Sequence, residues 1–318
     1  MNLRTPICDM FGIEVPVFLA GMGQVAYSEV CAAVSEAGGY GTLGMVGASP
    51  DQIRDEMRKV RRLTKKPFGV DLLAALPEQV TAAIDVIIEE GASSFIAGLG
   101  VPGPVIGKCH AAGVKVISMC GKVQHATRAE EAGCDVVVAQ GTEAGGHTGK
   151  IAGLALIPQI VDAVKIPVLA AGSIVDGRGM VAALALGAQG IWMGTRFIAS
   201  NEARAASRFK RKILESGGAE TIVSRCYSGK PMRVIANPYV EEQERHPENI
   251  KPFPEQIIRS AMAGVMNYVE DDATDLERTC MPAGQGIGAI KEILPAGQIV
   301  RRVMHEAQDT VRRLGGLL

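Results

Sequence analysis

Eight short apolar runs, starting roughly 25 residues apart, divide the first 200 residues and leave few choices of fold. In order they are "VPVFLAGM" (15–22), "YGTLGMV" (40–46), "FGVDLL" (68–73), "SFIAGLG" (94–100), "KVISMC" (115–120), "DVVVAQG" (135–141), "PVLAAGS" (167–173) and "GIWMGT" (190–195). Between them lie stretches such as "SEVCAAVSEAG", "PEQVTAAIDVIIEEG" and "GRGMVAALALG", with apolar residues three and four apart and mostly a closing glycine. A strand that is apolar throughout has no face suited to water, so both sides of its sheet must be covered, and alternating helices do this. Eight such units predict an α/β chain closed into a (β/α)8 TIM barrel. An open doubly wound sheet is the alternative with the same pattern.

The rhythm stops after residue 200. Residues 201–280 carry more charge and include the proline-punctuated "NPYVEEQERHPENIKPFPEQ", followed by the amphipathic "QIIRSAMAGVMNYV". They are expected to form a small, mostly helical insertion after the eighth strand, and "AGQGIGAIKEILPAGQIVRRVMHEAQDTVRRL" to return to the barrel with its closing helix.

Charge excludes several partners. The 33 basic and 34 acidic residues nearly cancel, and only 4% of the chain is aromatic, so neither a phosphate backbone nor a base-stacking surface is expected to attract it. The seven cysteines show no C-x-x-C pair and no disulfide or zinc spacing, and the amino terminus lacks the pattern of a signal peptide. A cytoplasmic protein with reduced thiols, no membrane segment and no metal site is expected. No surface stands out as a dimer interface, although a homodimer is admitted.

In such a barrel the reactive groups lie at the carboxyl ends of the strands. Here those ends are Gly21-Met22-Gly23, Gly44-Met45, Asp71, Gly98 to Gly100, Met119-Cys120, Gln140 to His147, Gly172-Ser173 and Gly194-Thr195. So much glycine suits a flat ligand lying close to backbone. "AAGSIVDGRG" and "MGTRF", after the seventh and eighth strands, fall where barrels commonly hold a phosphate, with Ser173 and Thr195 as hydroxyl donors and Arg178 and Arg196 as nearby cations. Two other glycine motifs fail. "GMGQVA" fits a dinucleotide fingerprint, but the next strand ends in "TLGMVG" without the required acid. "AGGHTGKI" has Ala144 and Ile151 where a phosphate loop needs glycine and a hydroxyl.

Of five histidines, four sit in predicted helices or in the charged insertion. His147 alone follows a barrel strand, inside "AQGTEAGGHTGK", where small neighbours leave it room to lean over a ligand as a general acid or base. The competing reading is a loop histidine bonded only to backbone. Glu143 either orients the imidazole or caps a turn.

These residues resemble the nitronate monooxygenase family, which also takes in FMN-dependent enoyl-acyl-carrier-protein reductases and NADH:quinone reductases. The likeness runs through "PVFLAGMGQVAYSEVCAAVSEAGGYGTLG", "KPFGVDLL", "AQGTEAGGHTG", "IPVLAAGSIVDGRGMVAALALGAQGIWMGTRF" and "PAGQGIGAI". It implies an FMN-binding barrel of residues 1–200 plus 281–318, with 201–280 as a lid over the flavin. By that likeness Gly21 and Met22 approach the flavin ring, Asp71 and Gln140 its edge or ribityl chain, and Gly145 and Gly146 its face. Gly172, Ser173, Gly194 and Thr195 hold the phosphate, His147 is the catalytic residue, and Gln285 lies in a carboxyl-terminal loop that folds back toward the site. The chain departs from the family pattern in having Asp71 where asparagine is usual and Met119 where many members keep a lysine. The implied activity is an FMN-dependent oxidoreductase, foremost oxidation of alkyl nitronates with O2. The alternative is NAD(P)H-dependent reduction of an enoyl thioester or a quinone. A flavin-binding protein without turnover and a barrel isomerase acting on a phosphosugar are the remaining readings.

Overall fold

The computed structural model describes residues 3–317. Each of the eight runs holds one strand: β1 Val17–Leu19, β2 Gly41–Gly44, β3 Phe68–Leu73, β4 Ser94–Gly98, β5 Lys115–Cys120, β6 Val136–Gln140 and, after the two-residue β7 Gly146–His147, β8 Val168–Ala171 and β9 Gly190–Met193. The eight pair in parallel, with β6 beside β8 and Phe18 of β1 opposite Trp192 of β9. A single bridge between Phe18 and Tyr40 joins β1 to β2 and completes the ring. The open-sheet alternative is thereby excluded.

Alternation along each strand builds two cores. Val17, Leu19, Val70, Leu72, Val137 and Ala139 point outward and pack against the helices. Phe18, Ile96, Ile117, Val138, Leu169 and Trp192 point inward and fill the barrel. Fully burying a side chain such as Phe18 contributes about 1.5–3 kcal/mol. The helix Pro6–Phe11 plugs the amino-terminal end with Ile7, Cys8 and Phe11, whose ring meets Phe18 edge-on at 5.4 Å. Only the carboxyl ends of the strands remain to receive a ligand.

The outer helices follow from local sequence. In Pro50–Leu63, Ser49 and Gln52 form a capping box, proline opens the first turn, and Ile53, Met57 and Val60 place one buried stripe on the barrel. The helix Ala296–Gly315 closes the outer layer between helices Ser28–Glu36 and Gly177–Ala185.

Residues 201–280 contain helices Ser207–Glu215, Pro238–Arg245 and Glu255–Met262, but also an antiparallel pair, β10 Thr221–Ser224 and β11 Met232–Ile235. The expectation of a mostly helical segment missed this hairpin, because its two alternating runs are only four residues each and are set in charged sequence. β7 joins β11 as a third strand. The segment has its own apolar cluster around Tyr227, Met232, Val234 and Val240. It is moored to the barrel by Arg204, which pairs with Glu29 and Glu56, and by the Tyr268 hydroxyl, which donates to the Gly23 carbonyl at 3.0 Å. All seven cysteines are buried and free of disulfides. Among the described residues no helix is long and apolar enough to cross a membrane, and no cluster of three or more His, Cys, Asp or Glu is placed to hold a metal ion.

Candidate active site

His147 is held by two segments far apart in sequence. Its own loop is tied from within: the Thr142 hydroxyl donates to Gly149 O at 2.8 Å, the Thr148 hydroxyl to Gly141 O at 3.1 Å, and the Gln140 amide to His147 O at 2.5 Å. From outside, β11 pairs Met232 with His147, and Thr148 N–H donates to Pro231 O at 3.1 Å. The imidazole Nε2 lies 2.9 Å from the hydroxyl of Ser228, in the turn between β10 and β11. Burial, and secondarily the charge of Lys230, push the ring pKa down to about 4. The ring is therefore neutral at pH 7.

The glycines around it have more than one cause. A Cβ on Gly145 would fall 2.7 Å from the backbone of Ala283 and Gly284, so the carboxyl-terminal loop already occupies that space. A Cβ on Gly141 would lie 2.5 Å from the Glu143 carboxylate. Gly146 differs: it adopts φ +74°, which favours glycine, and nothing stands within 4 Å of where its Cβ would be. Gly146 is thus glycine for its left-handed backbone, whereas two of its neighbours are small so that protein can pack on protein. Glu143 caps the helix Gly153–Ala163 by accepting from Gly153 N–H at 2.9 and 3.0 Å, and it leaves the imidazole to Ser228.

At the ends of β8 and β9, Gly172 has φ +113° and Ser173 φ +53°, a left-handed conformation uncommon for serine. The Ser173 hydroxyl donates to Glu143 O at 3.1 Å and accepts from Gly286 N–H at 2.8 Å, which uses its only hydrogen. Thr195 accepts from Gly284 N–H at 3.0 Å and keeps its hydrogen for another acceptor. With Gln285 N–H on Glu143 O, these bonds latch residues 284–286 over the mouth, while the Gln285 side chain itself is exposed. Neither candidate cation points to a phosphate. Arg178 pairs with Asp176, and Arg196 is buried, donating to the carbonyls of Ala199 and Glu292.

Asp71 stands inside the mouth on β3, buried, with Oδ1 lacking any hydrogen-bond partner. A methyl group on Gly21 would overlap its carboxyl, so the first strand's end lies directly against it. Burial without a compensating cation raises its pKa well above the usual carboxylate range. Met22 packs against the barrel and the insertion together, and Met119 faces inward among the interior apolar side chains. Asp71 is thus an orphaned acid with no cation beside it.

The folded chain holds the Asp71 proton more tightly than the unfolded chain, so this group makes stability fall as pH rises from the ordinary carboxyl range toward the raised folded value. Asp71→Asn removes that dependence. The variant is expected to melt higher than the parent, with a gap that is wider at pH 8 than at pH 5. Thermal unfolding at the two pH values measures it. A constant gap would mean that the carboxyl is not held neutral.

The structure brings Gly21, Met22, Asp71, Gln140, Gly145, Gly146, His147, Gly172, Ser173, Gly194 and Thr195 to the same end of the barrel. Sequence reasoning missed Ser228; it placed the loop of Gln285 back toward the site by resemblance, but not the bonds that latch 284–286 there. The alternating "TIVS" and "MRVI" flanking "CYSGK" carried the only local signal for the turn, and the bonding partners of the latch have none, because they lie about 90 to 140 residues away in the chain.

Comparison with known proteins gives this arrangement a context. The nitronate monooxygenase family profile matches residues 4–83 and 77–306. A probable nitronate monooxygenase of Staphylococcus saprophyticus is 30% identical, over 98% of this chain and 100% of its own. A (3aS,4S,5R,7aS)-5-hydroxy-7a-methyl-1-oxo-octahydro-1H-indene-4-carboxyl-CoA dehydrogenase of Rhodococcus jostii is 39% identical, over 79% of this chain and 70% of its own. The solved structure of FabK from Thermotoga maritima superposes with a TM-score of 0.92 and 37% identity, over 99% of both chains. A parallel barrel with its open end framed in this way, and a family likeness that runs through nearly every strand of it, place the chain in the nitronate monooxygenase family of FMN-dependent oxidoreductases.

Proposed function

We propose that this protein uses NAD(P)H to reduce an enoyl thioester through FMN. The observation that carries the reading is the likeness to FabK along essentially the whole of both chains, at a TM-score of 0.92. The Rhodococcus relative, whose name specifies a carboxyl-CoA dehydrogenase, supports a CoA thioester as the class of substrate, though there as the compound that is oxidised. Oxidation of alkyl nitronates is the second reading, favoured by the family profile and the staphylococcal relative.

FMN is the cofactor of the family, and the residues present fit it. Asp71 Oδ1 lacks a partner where a flat polar ring edge would supply one, and the space beside Gly146 is open. Asp71, Gln140, Gly21 and Met22 would border the ring and ribityl chain, with Gly145 and Gly146 at its face. Gly172, Ser173, Gly194 and Thr195 would hold the phosphate. Because the Ser173 hydroxyl is already committed, Thr195 O–H and backbone N–H groups carry that grip. When bound, FMN accepts an electron pair from one substrate and passes it to the next.

The overall reaction takes NAD(P)H, one proton and R–CH=CH–CO–S–R′ to NAD(P)+ and the saturated thioester. His147, neutral at pH 7, offers substrate a ring-nitrogen lone pair, which accepts a hydrogen bond from a substrate N–H or from a bound water that relays the proton destined for the α-carbon. Residues 201–280 act as a lid whose hairpin sets the imidazole and excludes water.

Anaerobic mixing of the holoenzyme with NADH, NADPH and propyl nitronate in turn tests the assignment. Bleaching of the flavin band by a nicotinamide, and its return on adding an enoyl thioester, are expected. Bleaching by nitronate alone would replace this reading with the second one.

A further inference from the structure

We propose that Ser228 is a positioning residue that fixes the tautomer of His147, so that Nδ1 is the ring nitrogen presented to substrate. Its role in turnover rests on the function proposed above; the tautomer itself does not. Ser228 is fully buried and lies in the turn between β10 and β11, 81 residues along the chain from the histidine it meets.

The assignment follows from counting hydrogens. Three groups surround the Ser228 hydroxyl: His147 Nε2 at 2.9 Å, Lys230 O at 3.1 Å and Lys230 N–H at 3.3 Å. A carbonyl only accepts and an amide N–H only donates. The single hydroxyl hydrogen goes to Lys230 O, which leaves oxygen lone pairs for Lys230 N–H and for a ring N–H. Nε2 must then carry the hydrogen. A neutral imidazole has only one, so Nδ1 is left with its lone pair, and it has no hydrogen-bond partner among the described residues. The opposite tautomer would draw the hydroxyl hydrogen to Nε2 and strip the Lys230 carbonyl of this donor.

The turn is held independently of the imidazole. Gly229 N–H donates to Arg225 O at 2.7 Å, and the Gln256 amide donates to Cys226 O at 2.5 Å. At Gly229, with φ +81°, the position of a Cβ is taken by the backbone of residues 251–253. Ser228 is therefore fixed by contacts other than the ring, as a group that orients a reactive side chain must be.

The test uses the FMN-loaded enzyme labelled with 15N-histidine. A long-range 1H–15N spectrum at pH 7, with the His147 signals identified by their loss in His147→Ala, is expected to show the Nε2–H form. Ser228→Ala should mix the tautomers and lower kcat by about 10- to 100-fold with little change in KM. Ser228→Thr, which restores a hydroxyl, should recover much of both. An Nδ1–H ring in the unaltered protein overturns the inference whatever the substrate, and that measurement needs no variant to fold. An unchanged tautomer in Ser228→Ala overturns it as well. An Nε2–H ring in an enzyme whose turnover survives His147→Ala supports the assignment of the ring and sinks the proposed function instead.

Discussion

Replacing His147 with alanine is expected to lower turnover by about 10²- to 10⁴-fold while leaving FMN bound. The size of the loss follows from position: among the site residues only this one combines a titratable nitrogen with a direction fixed from two distant segments. The ring pKa of about 4 adds a signature in pH. If the neutral ring is the active form, kcat/KM of the unaltered enzyme should fall only below about pH 4 to 5, and that acid limb should vanish in the variant. Stability carries the same signature. The unfolded histidine takes up a proton near pH 6.5, before the folded one does, so this group's contribution is complete above that pH and is lost as pH falls toward 4. The variant should show a shallower loss of stability across that window. Steady-state kinetics, flavin absorbance and melting curves at several pH values check the three statements. Unchanged turnover would remove His147 from the chemistry.

Gly145→Ala is expected to be strongly damaging to the site. The new Cβ would meet the backbone of Ala283 and Gly284 at 2.7 Å, and backbone cannot rotate away as a side chain can. Overpacking of this kind costs about 1–3 kcal/mol. In a chain of this size each kcal/mol corresponds to a Tm loss of about 2–4 °C. FMN affinity should fall with stability, because the displaced segment is the one latched to Ser173 and Thr195 through Gly286 and Gly284. Gly107→Ala is the control. Gly107 lies on the exposed side of the helix Gly103–Ala111 with nothing within 4 Å, and alanine there should stabilise by about 0.5–1 kcal/mol without touching FMN binding. Equal effects from the two substitutions would show that the loop contact at Gly145 is loose.

The eight barrel strands were legible because each is encoded by its own short apolar run. "FGVDLL" and "KVISMC" coincide with β3 and β5 residue for residue. β10 and β11 were not legible in the same way. Four-residue alternations become strands here only because β11 can pair on both sides, with β10 and with Gly146–His147. Glu143 shows the limit for a single side chain. Its sequence neighbour four residues on is His147, yet its carboxylate turns to the amino end of the next helix, where a ready N–H and the helix dipole favour it.

Sequence by itself determined the barrel, the end of it that stays open and the one histidine delivered there, because periodicity and strand ends are local properties carried by neighbouring residues. Tertiary structure decided which groups surround that histidine. Ser228 at its Nε2, the 284–286 latch and the unpartnered carboxyl of Asp71 arise from contacts between segments tens to more than a hundred residues apart. Hydrogen-bond partners and desolvation depend on what lies within a few ångströms in space, and no local pattern along the chain records that distance.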